Sequence, residues 1–155
     1  MSTPPAPGGY FHVGIVVPDL EAASARLTEL LGVTWGPVIT VDDYEVSDGT
    51  DLVVPMTMRY SVDEPRLELI QEVPGTVYEC NEHSNLHHLG IWTGDVRAAS
   101  AGLASAACPM QLCGRTGSDT PVTFAYHGNE LGVRIEVLDD AMRDVMESYL
   151  FLPPS

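Results

Sequence analysis

The feature that most constrains this chain is a repeat inside it. Tyr10 to Leu27 reads YFHVGIVVPDLEAASARL, and Leu86 to Leu103 reads LHHLGIWTGDVRAASAGL. Overlaid at a constant offset (88 − 12 = 76), His12 meets His88, Gly14 meets Gly90, Ile15 meets Ile91 and Asp19 meets Asp95. Ala22-Ala23-Ser24-Ala25 then meets Ala98-Ala99-Ser100-Ala101, and Leu27 meets Leu103. Only two copies are present, which points to a duplicated module rather than a solenoid. Any fold for this chain must accommodate the same unit twice.

Each copy predicts a strand followed by a helix. Tyr10 to Val17 is aromatic and β-branched and stops at Pro18. Asp19 is then a good N-cap for a helix to about Leu31, with Leu20, Ala23, Leu27, Leu30 and Leu31 on one face and Gly32 as its stop. Strands follow at roughly Thr34 to Val41, Leu52 to Tyr60 and Arg66 to Glu72, separated by turn signals at Ser47-Asp48-Gly49 and Asp63-Glu64-Pro65. Pro37 and Pro55 relegate parts of these strands to edges or bulges. The second copy predicts a strand from about His87 to Thr93 and a helix capped by Asp95 to about Ala107. Strands near Met110 to Cys113, Pro121 to His127 and Gly132 to Leu138 complete it. Gly114, Gly117, Ser118 and Asp119 mark a loop and His127-Gly128-Asn129-Glu130 a hairpin, which makes His127 an exposed turn residue. Each module is therefore β-α-β-β-β. The expected organisation is a single domain over 1–155, with module one at 10–73, a polar linker at 74–85, module two at 86–138, and a C-terminal helix and apolar tail at 139–155.

Charge narrows the partners. Seven arginines, no lysine and 22 acidic residues give a formal net charge of −15. Such a field repels nucleic acid and anionic membrane and disfavours strongly anionic ligands. No apolar run is long enough to span a bilayer. The stretch MSTPPAPGGY has neither the basic nor the apolar region of a secretory signal and reads as a loose leader, so a cytoplasmic location is expected. Cys80, Cys108 and Cys113 are odd in number and lack CxxC spacing, which assigns them no chemistry.

A second pair of matched segments lies at the module ends: Arg66-Leu67-Glu68-Leu69 and Arg134-Ile135-Glu136-Val137. Alternate residues of a strand share a face, so each Glu stands opposite its flanking apolar pair, and His12 shares a face with Gly14 and Val16. A lone histidine in a strand is ordinarily structural, and a lone glutamate ordinarily faces water. Four ionisable positions related pairwise by a repeat are another matter, because a charge within a strong strand is costly to bury alone. Two imidazoles and two carboxylates suit a divalent metal, whose charge offsets the burial of the carboxylates. His87 alternates with His88 and points to the opposite face; neither it nor His83 has a repeat mate.

The doubled β-α-β-β-β unit, the FHVGI and HHLGI strand openings and the LEL and IEV strands resemble the vicinal oxygen chelate superfamily of glyoxalases, bleomycin-resistance proteins and extradiol dioxygenases, nearest to its glyoxalase I and methylmalonyl-CoA epimerase-like branch. The resemblance runs from Tyr10 to Leu138. It implies an α+β fold in which the two modules form a curved, incomplete eight-stranded barrel around one divalent ion (Zn, Ni, Co, Mn or Fe) held by His12, Glu68, His88 and Glu136. That set is similar to bacterial glyoxalase I, whereas the epimerase branch usually carries Gln in place of Glu68.

The resemblance further implies isomerase, epimerase or lyase chemistry through a metal-stabilised enolate, with Glu136 or Glu68 as the proton-transfer base. The substrate would be a small oxygenated metabolite and the protein a homodimer. Arg66 and Arg134 share a strand face with the glutamates and are candidates to hold a substrate carboxylate, ion pairing with nearby acids being the alternative. Trp92 and Tyr126, with Phe124 and Met58, line either an apolar pocket or the core. Two other functions use the same residues: an Fe(II)-dependent dioxygenase built on His12, His88 and Glu136, against which the fourth ligand Glu68 counts, and a non-catalytic drug-binding resistance protein, which the acidity favours and the intact quartet does not.

Overall fold

The computed structural model describes residues 9–114 and 123–153. The expected leader at residues 1–8, the loop residues Gly117, Ser118 and Asp119, the strand start at Pro121 and the tail residue Pro154 lie outside the described residues. The element order is β1 (Tyr10–Val17), α1 (Leu20–Leu31), β2 (Ile39–Ser47), β3 (Asp51–Tyr60), β4 (Leu67–Gln71), β5 (Leu86–Thr93), α2 (Val96–Ser105), β6 (Met110–Gly114), β7 (Phe124–His127), β8 (Arg134–Asp139) and α3 (Arg143–Tyr149), with a 3-10 turn at Asp140–Met142 before the last helix.

The duplication is visible at the level of single hydrogen bonds. Asp19 accepts from the Ala22 amide at 2.8 Å, and Asp95 accepts from the Ala98 amide at 2.9 Å. Each cap satisfies an otherwise unpartnered helix donor and contributes about 1 kcal/mol. Gly32 ends α1 with φ 70, a left-handed conformation that costs glycine nothing. The parallel pairs repeat as well: β1 lies on β4 with Gly14 opposite Glu68, and β5 lies on β8 with Gly90 opposite Glu136. The eight strands are hydrogen-bonded in the order β1-β4-β3-β2-β6-β7-β8-β5, which returns on itself. The ring of strands is thus closed where an incomplete one was expected.

The chain divides into two compact units that cut across the modules. One, here the His12 unit, comprises His12–Tyr44, Pro55–His87 and Asp144–Ser155. Its core packs Val17, Leu20, Trp35 and Leu69, with Ile15 and Leu67, beneath α1. Burying a leucine as completely as Leu69 contributes about 1.5–3 kcal/mol. The other, the His88 unit, comprises, among the described residues, Glu45–Val54 and those of His88–Arg143, with Gly9 to Phe11. Its core packs Val96, Ala99, Cys113, Ala125 and Val137, with Ile91 and Leu103, against α2.

Several expectations shift. β2 begins at Ile39 rather than Thr34, because Trp35 is drawn to the end of α1, where its indole N–H is shared between the Ser24 carbonyl (3.0 Å) and the Thr28 hydroxyl (3.1 Å). Trp35 instead forms an isolated bridge with Ser61. Pro55 lies inside β3 but outside the run Met58–Tyr60 that pairs with β4. The linker is folded: Tyr78 is fully buried, its carbonyl accepts from the Val73 amide, and it stacks on His87 with ring centroids 5.2 Å apart. The apolar tail folds back within the His12 unit. Phe151 is buried there, edge-on to Tyr60 at 5.4 Å and beneath the Arg66 guanidinium at 3.7 Å.

Candidate metal centre

In the His12 unit, alternation along β1 and β4 sends Ile15, Val17, Leu67 and Leu69 to the α1 side. His12 and Glu68 therefore stand on the other face, each only 4% exposed. His12 Nε2 lies 3.0 Å from Glu68 Oε2. The second carboxylate oxygen, Oε1, accepts a 2.7 Å hydrogen bond from the Tyr60 hydroxyl. Tyr60 is the residue directly opposite Glu68 in the β3–β4 register, and its ring meets that of His12 edge-on at 5.6 Å. Across the sheet, Glu68 is thus flanked by Gly14 on β1 and Tyr60 on β3.

The His88 unit repeats the construction. Ile91 and Val137 pack on the α2 side, leaving His88 and Glu136 on the opposite face, both buried. His88 Nε2 lies 3.4 Å from Glu136 Oε2. Glu136 is flanked by Gly90 on β5 and Tyr126 on β7, and the Tyr126 ring lies 5.0 Å from that of His88. Each unit therefore carries one buried His–Glu pair with a tyrosine as its cross-strand neighbour.

The other candidates have definite surroundings. Arg66 Nη1 donates to the carbonyls of Ser61 (2.6 Å) and Val62 (3.0 Å), and burial lowers its pKa from the ordinary value against the opposing pull of Glu64, Glu147 and Asp63. Arg134 donates to the Gln111 side chain at 2.8 Å. Trp92 is buried, stacked on Phe11 at 4.1 Å with the Arg143 guanidinium 5.1 Å from its ring. His87 lies against the linker, its Nε2 2.8 Å from the Val77 carbonyl. Burial raises the thiol pKa of Cys80 and Cys108, which disfavours their thiolate forms.

His127 corrects the sequence expectation. It is fully buried rather than exposed in a turn, because β7 runs through it and brings it under α2. Its Nδ1 lies 2.7 Å from the Cys108 carbonyl and its Nε2 2.7 Å from the Ser100 hydroxyl. The carbonyl can only accept, so Nδ1 carries the proton and Ser100 donates to Nε2. Burial lowers the His127 pKa below 6.5, and the bond to Cys108 partly opposes this.

Sequence reasoning missed Tyr60. Its signal was available: a tyrosine precedes each glutamate in the adjoining strand, eight residues before Glu68 (68 − 60 = 8) and ten before Glu136 (136 − 126 = 10).

Residues 11–126 match the family model described as the Glyoxalase/Bleomycin resistance protein/Dioxygenase superfamily. The chain belongs to that superfamily. No curated protein matches the sequence. Among solved structures, this superfamily member is similar to a variant of Streptomyces coelicolor methylmalonyl-CoA epimerase in complex with 2-nitronate-propionyl-CoA: TM-score 0.62, 16% identity, 86% of this chain and 98% of that one. It is also similar to methylmalonyl-CoA epimerase from Mycobacterium tuberculosis, with TM-score 0.56, 17% identity, 90% of this chain and 92% of that one. A mutant 4-hydroxymandelate synthase from Streptomyces coelicolor gives TM-score 0.56 and 16% identity over 96% of this chain and 40% of that one. At these identities the likeness is one of fold.

Proposed function

We propose that this superfamily member is a divalent-metal-dependent isomerase, epimerase or lyase acting on a small oxygenated metabolite, with a glutamate as its proton-transfer base. The observation that carries the reading is the pair of buried His–Glu couples, His12–Glu68 and His88–Glu136, at repeat-equivalent positions. His12, His88 and Glu136 are all buried and offer imidazole and carboxylate donors of the kind that a metal ion takes. The donor chemistry fits: imidazole and carboxylate, with no thiolate, suit Zn, Ni, Co, Mn or Fe in the divalent state. In this reading His12, Glu68, His88 and Glu136 hold the ion. When bound, it supplies a Lewis acid toward substrate oxygens.

The rest is the work of the chain. A glutamate, Glu68 or Glu136, takes a proton from the carbon beside the substrate carbonyl and returns it to that carbon or its neighbour. Burial of both carboxylates keeps bulk water from competing for that proton. The methylmalonyl-CoA epimerases share the fold, but a smaller and less anionic substrate fits this chain better. Arg26 pairs with Glu29, Arg59 donates to the Gly36 carbonyl, and Arg66, Arg134 and Arg143 are engaged as described. With seven arginines and no lysine in the sequence, cations to receive a coenzyme's phosphates are few. The proposal extends to a single functional domain, a homodimer and a cytoplasmic location; none of the described helices is long and apolar enough to cross a membrane.

A second reading has its own support. Without Glu68, the donors His12, His88 and Glu136 make a two-histidine, one-carboxylate set. Such a set suits Fe(II) and oxygen chemistry. The test is elemental analysis of the purified chain followed by incubation of the loaded protein with vicinally oxygenated carbonyl compounds in D2O. One equivalent of divalent metal and deuterium entering the carbon next to the carbonyl are expected. Absence of bound metal sinks both readings; oxygen uptake with catechols, without deuterium exchange, selects the second.

A further inference from the structure

Each buried glutamate has a tyrosine directly across the strand, and in the His12 unit the contact is a 2.7 Å hydrogen bond from the Tyr60 hydroxyl to Glu68 Oε1. That leaves Oε2 as the oxygen facing His12, at 3.0 Å. One oxygen is therefore tethered and the other presented. Tyr60 is itself held from behind. Its ring is edge-on to Phe151 at 5.4 Å, and Phe151 is buried under the Arg66 guanidinium, which is in turn fixed by the Ser61 and Val62 carbonyls. A close backbone approach brings the tail there. A Cβ on Gly36 would overlap the Leu150 carbonyl oxygen, so the glycine clears a seat for the residue just before Phe151. The order of contact runs from the C-terminal tail through Phe151 and Tyr60 to Glu68 and His12.

We propose that Tyr60 is the positioning residue of Glu68 as a metal ligand, and that the C-terminal tail, through Phe151, sets Tyr60 in place. The inference rests on the metal reading above and adds to it which oxygen of Glu68 is presented and what orients it. Groups that hydrogen-bond a ligating carboxylate fix its rotamer, and their loss typically weakens metal binding by about 10–100-fold. Tyr60 does not move a proton in this scheme; it acts through Glu68.

The experiment uses the full chain and Co2+ alone as probe, read by its visible absorption and by competition with a chromophoric chelator. Tyr60→Phe removes one oxygen and keeps the ring, so the packing on Phe151 and His12 stays. It should bind Co2+ about tenfold more weakly, with altered ligand-field bands, while its circular dichroism matches the parent. Phe151→Leu, a milder change than alanine, should shift the bands in the same direction by a smaller amount. A purely structural role for Tyr60 predicts a lower melting temperature with unchanged Co2+ affinity and spectrum, and that result overturns the inference. A parent chain that takes up no stoichiometric Co2+ overturns the metal reading and the inference with it, so the two failures are distinguishable.

Discussion

The two halves of this molecule share a ground plan and differ in how it is supported. β1 and β5 each bring a histidine, β4 and β8 each a glutamate, and β3 and β7 each a tyrosine. Around these positions the contacts diverge. The repeat-matched serines show it best. The Ser24 hydroxyl donates to the Leu20 carbonyl within α1, while its own carbonyl receives the Trp35 indole. Ser100, at the matching place in α2, donates instead to the buried His127. The residue after each tyrosine has changed accordingly: Ser61 follows Tyr60 and His127 follows Tyr126. The two units thus share the histidine, glutamate and tyrosine positions while the surroundings of each are solved separately.

The largest expected effect comes from breaking the half in which metal binding is tested most directly. His88→Ala should abolish bound metal, measured by elemental analysis, and lower the melting temperature. An unchanged metal content would remove His88 from the site. Because holo-stability rises with ligand occupancy, the melting-temperature loss should shrink when parent and variant are compared in chelator.

Next is Gly36→Ala, which acts only on the His12 unit. The added Cβ meets a backbone carbonyl rather than a flexible side-chain tip, so either the tail undocks or the loop shifts. A loss of about 1–3 kcal/mol in urea unfolding is expected, in the range of overpacked core sites. Wild-type stability would show that the tail yields freely and is no brace.

His127 gives the His88 unit a pH dependence that the Ser61 position lacks. Its pKa is lowered in the folded chain, so as pH falls below the ordinary 6.5 the unfolded chain gains a proton that the folded one refuses. The stability that neutral His127 provides is therefore complete above that value and is lost as pH falls towards and through the lowered one. His127→Gln should lower the melting temperature at pH 8 yet flatten its decline between pH 7 and pH 5; parallel melting curves for the two proteins contradict this account.

The smallest effect concerns helix ends. α1 stops at Gly32 with φ 70, whereas the turn after α2 places Ala107 at φ 61. A left-handed alanine carries about 1–2 kcal/mol of strain, partly offset in the unfolded state when glycine replaces it. Ala107→Gly should therefore stabilise by roughly 0.5 kcal/mol and Gly32→Ala should destabilise, both read by chemical denaturation.

Much of this was legible because the repeat supplied two independent readings of each element. β1 and α1 follow the sequence pattern to the residue, since Pro18, Asp19 and Gly32 are local signals acting on a strongly periodic stretch. Glu68 and Glu136 were legible by alternation, and alternation also separated His88 from His87. What stayed hidden depended on distant partners. Trp35 left its expected strand for two acceptors on α1, and His127 left the expected turn for a serine on α2. Phe151 showed only as an apolar tail residue, because nothing near it in sequence names Tyr60 or Arg66 as its seat.

The closed strand order has a consequence for how this protein meets others. Among the described residues, each of the eight named strands has a hydrogen-bonded neighbour on both sides, β2 meeting β6 at Val46 and Ser47. Where strands are paired in this way, their amides and carbonyls offer no template for edge-to-edge aggregation or strand addition. Association with a second copy through side chains would work against the mutual repulsion of two bodies each carrying a net −15. Self-association should therefore strengthen as salt is added, a dependence opposite in sign to that of a contact held by complementary charge.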